Sequence, residues 1–385
     1  MPLRIGIVCY PTFGGSGVVA TELGLELARR GHDVHFVTYG LPVRLGTAFG
    51  NLHHHEVVVS DYPLFDYPPY ETVLASRLVD VTLHERLDLL HVHYAIPHAS
   101  AAFVAREILR ARGVRVPFIT TLHGTDITLV GKDPAFAPVI AFAIESSDAV
   151  TAVSESLRTE TYAHFDVDRP IEVIPNFIDM ERYGPRTTDE LPCVFNPDGE
   201  RLLLHVSNFR PVKRVLDVVR IFALVRARIP CKLLLVGDGP DRPAIEALGR
   251  ELGTHADTHF LGKVTDVERI YRLADVFLLP SEAESFGLAA LEAMACGVPV
   301  VSSDRGGLPE VNLQGITGFL RPLGDVEGMA HDVLRILEDA EEGARLGAGA
   351  RAHARVFATA NVVPRYEDLY HRTLAATTSR ARVES

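Results

Sequence analysis

Short apolar runs alternate with amphipathic stretches along nearly the whole chain. In the first half the runs are Arg4–Cys9, Val34–Tyr39, His55–Ser60, Leu89–Val92, Phe118–Leu122, Ala149–Ala152 and Ile171–Ile174. Between them lie segments with apolar residues at helical spacing, such as Val18–Arg30, Tyr70–His84 and Pro97–Ala111. Near-continuous apolar strands separated by helices predict parallel sheets covered on both faces. The pattern breaks over Asp179–Glu200, where Gly184, Pro185, Pro192, Pro197 and Gly199 stand among mixed charges. Such a stretch predicts an interdomain linker. The alternation then resumes, with strands expected over Leu202–Val206, Lys232–Val236, Val276–Leu279 and Val298–Ser302. Helices are expected over Arg214–Ala227, Arg242–Leu252, Leu288–Ala295, Asp325–Arg355 and Asn361–Ala376. The predicted fold class is α/β, with two Rossmann-like, doubly wound parallel-sheet domains over 1–185 and 186–360 and a separate terminal helix over 361–385. Ligands of such sheets bind beyond the carboxyl ends of the strands, and a cleft between two such domains is the expected site.

Composition narrows the picture without changing it. A chain of 385 residues suits two domains. Hydrophobic residues make up 47% and charged residues 23%, an ordinary globular balance. The net charge is -12 and neither half is basic, which argues against a nucleic-acid-coating protein. An anionic ligand must therefore be held by a few local cations and backbone N–H groups. Cys9, Cys193, Cys231 and Cys296 form no C-x-x-C pair, so neither a disulfide framework nor a zinc site is expected. No apolar stretch is long enough to span a bilayer, and the expected location is the cytoplasm. The oligomeric state is left open, a homo-oligomer included.

Several motifs fall just after expected strands. The first strand runs into Gly14-Gly15-Ser16-Gly17. Glycines there let a backbone approach a ligand, and the following helix start offers free N–H groups to an anion. A tight strand-to-helix turn would explain the same residues. A dinucleotide fingerprint would need G-x-G-x-x-G, and neither this loop nor Gly237-Asp238-Gly239 has that spacing, which argues against a dehydrogenase. His93-Tyr94-Ala95-Ile96-Pro97 and His123-Gly124-Thr125-Asp126 follow two further strands. His91 and His93 read as a pair on one strand face, without the third ligand that a metal needs. The run His53-His54-His55 reads as a surface loop leading into a strand, and no metal role is assigned to it.

In the second half, Arg210 and Lys213 lie three residues apart near an expected helix start, where Pro211 suits the first turn. Two charges added to a helix dipole make a place for a diphosphate. A merely solvated basic helix start is the plainer explanation. Lysine is rare here, occurring only at 132, 213, 232 and 263. The most specific segment is Pro280 to Pro299, which contains Glu284 and Glu292 eight residues apart. One carboxylate precedes the helix, the other lies about two turns into it, and the N–H groups of Phe286, Gly287 and Leu288 fall between. Amides suit a diphosphate and carboxylates suit sugar hydroxyls, so the arrangement fits a sugar nucleotide.

These residues resemble the retaining glycosyltransferases of family 4, which share the GT-B architecture of two Rossmann-like domains facing across a cleft. The matching features are the Gly14-Gly15-Ser16-Gly17 loop, the Arg210/Lys213 pair, the Glu284/Glu292 pair and Gly306-Gly307-x-Pro309-Glu310. The likeness covers essentially the whole chain. It implies an acceptor-binding first domain, a donor-binding second domain and a last helix that crosses back to the first. Within the family, five stretches are similar to the subgroup that transfers N-acetylglucosamine from UDP-N-acetylglucosamine to the hydroxyl of L-malate, the first step of bacillithiol biosynthesis. They are Cys9-Tyr10-Pro11 with the glycine loop, Tyr67-Pro68-Pro69-Tyr70, His93 to His98, Thr121 to Thr128, and Asn176-Phe177-Ile178-Asp179. Lys132 departs from that subgroup, standing where an aromatic is expected in a Gly-x-Asp-Pro turn.

The resemblance assigns roles. Glu292 is implied to hold the ribose hydroxyls and Glu284 the donor sugar's 3-hydroxyl. Arg210 and Lys213 are implied to bind the diphosphate, with N–H support from Gly15, Phe286, Gly287 and Leu288. His123 is placed near the sugar's C6 hydroxyl and reacting face. Asn208 and Ser285 are further donor contacts, and the uracil is expected near Lys263-Val264. Malate is expected against Ser16, Tyr94, Thr121 and Asn176. The resemblance implies no metal and no cofactor, since basic residues take the metal's place. Inositol phosphate or a lipid is the alternative acceptor, and a UDP-sugar 2-epimerase the rival reaction. An inositol-phosphate enzyme would want more basic residues near the N-terminal loops, where only Arg44 and Lys132 stand out.

Overall fold

The computed structural model describes residues 2–12, 14–45, 50–59, 68–129, 131, 133–185, 195 and 198–384, without the side chains of 129 and 380–384. Two compact units emerge: Met1–Phe177 with Ala360–Ser385, and Ile178–Thr359.

The first unit contains β1 (Arg4–Val8), α1 (Gly15–Arg29), β2 (Asp33–Thr38), β3 (Leu52–Glu56), α2 (Tyr70–Glu85), β4 (Leu89–His93), α3 (Ser100–Ala111), β5 (Phe118–Leu122), α4 (Ala137–Ser146), β6 (Ala149–Ala152), α5 (Glu155–His164) and β7 (Ile171–Val173). Its sheet is parallel, ordered β3-β2-β1-β4-β5-β6-β7. The second unit contains β8 (Arg201–Val206), α6 (Val215–Arg226), β9 (Cys231–Val236), α7 (Arg242–Glu251), β10 (Thr258–Gly262), α8 (Val267–Tyr271), β11 (Val276–Leu279), α9 (Leu288–Ala295), β12 (Val300–Ser303), α10 (Leu308–Val311), β13 (Gly318–Arg321), α11 (Val326–Glu338) and α12 (Ala340–Ala354). Its sheet is also parallel, ordered β10-β9-β8-β11-β12-β13. The last helix, α13 (Thr359–Glu384), contributes nearly all its residues to the first unit.

The apolar pattern accounts for this layering. Central strands β4, β5, β11 and β12 are buried at every position, as sheets covered on both faces require. In the second unit Val218, Phe222 and Val225 of α6 pack with Leu233 and Leu235 of β9, Leu278 of β11 and Val333 of α11. Removing Phe222 to alanine would cost about 3–5 kcal/mol, the usual range for a buried aromatic.

Several expectations are corrected. The histidine run is not a loop: His53, His54 and His55 are the middle of edge strand β3, which ends at Glu56 rather than running from His55 to Ser60. Ser60 lies outside the described residues. Edge strands β10 and β13 were not expected at all; they are short and largely half-covered, so the apolar signal is weak. The helix expected over Asp325–Arg355 is two helices. Asp339 ends α11 and caps α12, its carboxylate accepting from the N–H groups of Glu341 and Glu342 at 3.0 Å each. The linker is also shorter than expected. Residues 178–185 belong to the second unit, because Ile178 bridges to Ala358 and the Tyr183 side chain is buried against Glu292. Residues 186–194 and 196–197, including Cys193, lie outside the described residues, as do Tyr67 and Lys132.

Candidate active site

Strand order reverses between β8 and β11 in the second unit and between β1 and β4 in the first. Loops leaving the carboxyl ends of such strand pairs are where open α/β sheets bind ligands.

In the second unit β8 leads into Ser207, Asn208, Phe209 and Arg210. Phe209 is fully buried at a positive φ of 38° and anchors the turn, leaving Asn208 and Arg210 exposed on either side. Pro211–Lys213 then form one turn of 3-10 helix, and Arg214 at φ 50° separates it from α6. Arg210 therefore precedes a 3-10 turn and Lys213 ends it, so neither lies on α6, near whose start both were expected. The loop after β11 closes on this turn, with the Glu282 N–H donating to the Val212 carbonyl at 2.8 Å. Lys213 Nζ stands 2.6 Å from Glu284 Oε1, which also accepts from Ser281 Oγ at 2.9 Å. Neither member of the ion pair is wholly enclosed, at 21% and 13% side-chain exposure.

Two glycine pairs hold these loops. A Cβ on Gly306 would lie 2.1 Å from the Glu284 carbonyl oxygen, and one on Gly307 2.5 Å from that of Ser285. Gly306 also has φ 58°, a conformation that side chains resist. The backbone carrying Glu284 and Ser285 thus rests directly on this pair, and Gly307 N–H donates to the Glu284 carbonyl at 2.8 Å. Gly237 and Gly239 do the same for the loop after β8, approaching the carbonyls of Ser207 and Asn208.

The chain then enters α9 through Gly287, and Glu292 lies within that helix, 7% exposed. Its two oxygens accept from Tyr183 Oη at 2.7 Å and Tyr271 Oη at 2.9 Å. Burial first, and then the Glu292 charge, push the Tyr271 hydroxyl well above its ordinary pKa, so it stays a donor.

In the first unit, β4 ends in His93 and His123 directly follows β5; the turns Ala95–Ala99 and Thr125–Leu129 come next, the first broken by extended backbone at Ile96 (φ -128°, ψ 142°). His93 Nδ1 and His123 Nε2 are 2.8 Å apart, with the rings stacked. Burial holds the His123 pKa at about 3, with His98 adding to the shift, so the ring is neutral at physiological pH. Tyr94, at φ 85°, donates to Ser16 Oγ at 2.6 Å, joining the start of α1 to the turn after β4. Asp126 accepts from the N–H groups of Ala95 and Gly124, at 2.8 and 3.2 Å, and ties the two turns together. Below them His91 bridges Tyr370 Oη of α13 and Thr121 Oγ1, each at 2.7 Å.

Comparison with known proteins decides the family. Residues 13–182 match Glycosyltransferase Family 4, and residues 190–353 match Glycosyl transferases group 1. N-acetyl-alpha-D-glucosaminyl L-malate synthase of Bacillus anthracis is 46% identical over 376 residues, covering 97% of this chain and 98% of the relative. The chain belongs to family 4 of the glycosyltransferases. Among solved structures, sucrose-phosphate synthase of Thermosynechococcus elongatus aligns with a TM-score of 0.81 at 22% identity, over 97% of this chain and all of that one. Anabaena HepE, solved with UDP and glucose, aligns at 0.77 and 21% identity, over 95% and 99%. At that identity the likeness speaks for the GT-B fold alone.

Within this glycosyltransferase most of the expected donor residues fall after the carboxyl ends of strands in the second unit, while Gly15, also expected at the donor, belongs to the first unit and Glu292 lies within α9. Asn208, Arg210 and Lys213 follow β8, Val264 follows β10, and Glu284, Ser285, Phe286, Gly287 and Leu288 follow β11. Of these, Lys213 and Glu284 meet directly, while Glu292 sits deeper, against two tyrosines. Gly15, Ser16, Tyr94, Thr121, His123 and Asn176 all belong to the first unit. Ser16 and Tyr94 meet. Thr121 does not join them: its side chain is fully buried, and its hydroxyl lies between His91 and Thr151, 2.7 Å from each. Asn176 is 6% exposed, with its Oδ1 unpaired among the described residues. Sequence reasoning missed Tyr183 and Tyr271 as partners of Glu292, Ser281 as a partner of Glu284, and Asp126 as the tie between two turns. Two of these lie within stretches that the sequence singles out, Ser281 in Pro280 to Pro299 and Asp126 in Thr121 to Thr128; the two tyrosines carried no signal.

Proposed function

We propose that this glycosyltransferase moves N-acetylglucosamine from UDP-N-acetylglucosamine to the hydroxyl of L-malate, with retention at the anomeric carbon. The Lys213–Glu284 pair carries the reading. It puts a cation and a sugar-hydroxyl acceptor side by side at a strand-order reversal, in a chain 46% identical to a relative named for that reaction.

Arg210 and Lys213 take the diphosphate, with the N–H groups of Gly15, Phe286, Gly287 and Leu288 beside it. Glu284 accepts from the sugar's 3-hydroxyl and Glu292 from the ribose. Asn208 and Ser285 line the donor, and Val264 meets the uracil through backbone. As the glycosidic bond breaks, negative charge gathers on the leaving diphosphate and positive charge on the sugar ring. Fixed cations and amides at the diphosphate lower the barrier because their effect grows as that charge develops. The malate hydroxyl attacks from the face UDP leaves, and a β-phosphate oxygen takes its proton. Neutral His123 serves as a hydrogen-bond partner for the C6 hydroxyl and does not act as an acid. Ser16, Tyr94 and Asn176 are assigned to the acceptor. In this scheme the cations at the diphosphate stand in for a metal, and none is assigned to the transfer.

The test is UDP release from UDP-N-acetylglucosamine with chelator present and a panel of acceptors. Malate should be required and should yield the α-linked product. Release driven by inositol phosphate and not malate would replace the acceptor; Arg44, one of the cations such an acceptor would call on, is paired with Glu22 at 3.2 Å. Formation of an epimer without any acceptor would replace the reaction.

A further inference from the structure

Edge strand β3 brings a cluster of titratable side chains to the opposite end of the first sheet from the loops described above. Parallel pairing sets His53 beside His35 and His55 beside Val37, so His53 and His55 share a face with Asp33 and His35. His54 points to the other face, where its Nε2 lies 3.0 Å from Thr38 Oγ1. His53 Nε2 is 2.8 Å from Asp33 Oδ1, and His35 Nε2 is 3.6 Å from Asp33 Oδ2. The His35 and His53 rings stack at 4.5 Å. On its other side His35 Nδ1 is 2.9 Å from His55 Nε2.

This arrangement lacks something. His35 is 1% exposed, and its Nε2 has no hydrogen-bond partner among the described residues. Neither tautomer satisfies this nitrogen: as an acceptor it faces a carboxylate, and as a donor it stands 3.6 Å from Asp33 Oδ2, beyond hydrogen-bond reach. A cation held between the unprotonated Nε2 and the carboxylate would satisfy both groups. The hydrogen bond behind the ring is the kind that fixes the tautomer of a metal-bound histidine. Two imidazole nitrogens and one carboxylate oxygen, all mutually within 4.8 Å, form a zinc-type donor set with a fourth position left for water. Asp33 and His53 are 38% and 40% exposed, which gives an ion a way in.

We propose that Asp33, His35 and His53 bind one Zn²⁺ ion, or another imidazole-preferring divalent transition metal, with His55 orienting His35 from behind. The ion would tie edge strand β3 to β2. It has no part in the sugar transfer, since the ligands lie on the first three residues of β2 and the second of β3, away from the carboxyl-end loops. Binding requires the stacked His35 and His53 rings to tilt so that both nitrogens aim at the ion, at the usual zinc–nitrogen distance of about 2.0–2.1 Å.

The test is calorimetric titration of the full, chelator-stripped chain with ZnCl₂, followed by thermal melting with and without the metal. One saturable equivalent should bind, and the melting midpoint should rise with free Zn²⁺, as for any ligand of the folded state. Asp33→Asn and His53→Gln, both at partly exposed positions, should each weaken the binding at least tenfold while leaving the metal-free melting curve in place. His84→Gln, at an exposed histidine beside Asp80 on α2, should leave it unchanged. No saturable equivalent, or binding indifferent to His53→Gln, would overturn the site.

Discussion

Lys213 Nζ lies 2.6 Å from Glu284 Oε1, although 71 residues separate them. The two side chains proposed to hold the diphosphate and the sugar form an ion pair with one another, and Ser281 Oγ donates to the same Glu284 oxygen at 2.9 Å.

Lys213→Ala should remove a charge that acts where the leaving group develops its own. The expected loss in kcat/KM is about 10²–10³-fold, or roughly 2.7–4 kcal/mol, by analogy with an oxyanion-hole donor. The pair is partly exposed, so the change in folding stability should stay near 1 kcal/mol or less. Steady-state kinetics and urea denaturation separate the two effects. Activity retained within about tenfold, a difference of only ~1.4 kcal/mol, would remove Lys213 from the mechanism.

Gly306→Ala should damage the site from beneath. Its new Cβ would lie 2.1 Å from the Glu284 carbonyl oxygen, in a conformation that is already left-handed. Gly315 is also left-handed, at φ 71°, but nothing lies within 4 Å of where its Cβ would stand. Gly315→Ala should cost stability without touching donor affinity. Gly306→Ala should weaken UDP binding as well, and equal UDP affinities by calorimetry would refute the difference.

Tyr271→Phe removes one of the two phenols that donate to the buried Glu292 carboxylate. A hydrogen bond to a charged acceptor contributes about 1.5–3 kcal/mol. The urea midpoint should fall by a corresponding amount. Glu292→Leu, which removes the charge along with its partners' acceptor, should abolish UDP binding even if folding is largely preserved. Unimpaired UDP binding by that variant would show that Glu292 is there for the two tyrosines alone.

Acid should unfold the first unit through its histidines. Burial holds His91 and His123 at about 3 and His98 at about 4, and puts His93 well below its ordinary value. Unfolded histidines titrate near 6.5. As pH falls from about 6.5 toward 4, the unfolded chain takes up protons that the folded chain refuses, and stability is lost. Each such ring contributes a slope of ~1.4 kcal/mol per pH unit inside that window. Asp126 works in the opposite sense. Burial raises it to about 6, so between about 4 and 6 the folded chain holds a proton that the unfolded one releases. Four rings outweigh one carboxyl. Urea midpoints measured at pH 7, 6 and 5 with chelator present should decline at each step, and a flat series would contradict the assignment.

The sheet architecture was legible because parallel strands buried on both faces leave near-continuous apolar runs. Leu89–Val92, Phe118–Leu122 and Val276–Leu279 fall on β4, β5 and β11 to within a residue. The signal failed where burial is partial. β10 and β13 sit at sheet edges, and β3 presents histidines where apolar residues would have marked a strand. It also failed at Asp339, where one carboxylate capping two N–H groups divides a continuous helical pattern.

Residue types and their spacing determined, without coordinates, that the protein is built from doubly wound α/β units and that Arg210, Lys213, Glu284 and Glu292 follow strands near helix starts. They could do so because periodicity and turn residues are local properties. Pairings across long separations were settled only by folding: Lys213 with Glu284, Tyr183 and Tyr271 with Glu292, His91 with Tyr370, and Thr121 enclosed where an acceptor contact was expected. A buried hydrogen bond depends on which loops the strand order brings together and on how much water that packing excludes, and neither is written in the neighbourhood of any one residue.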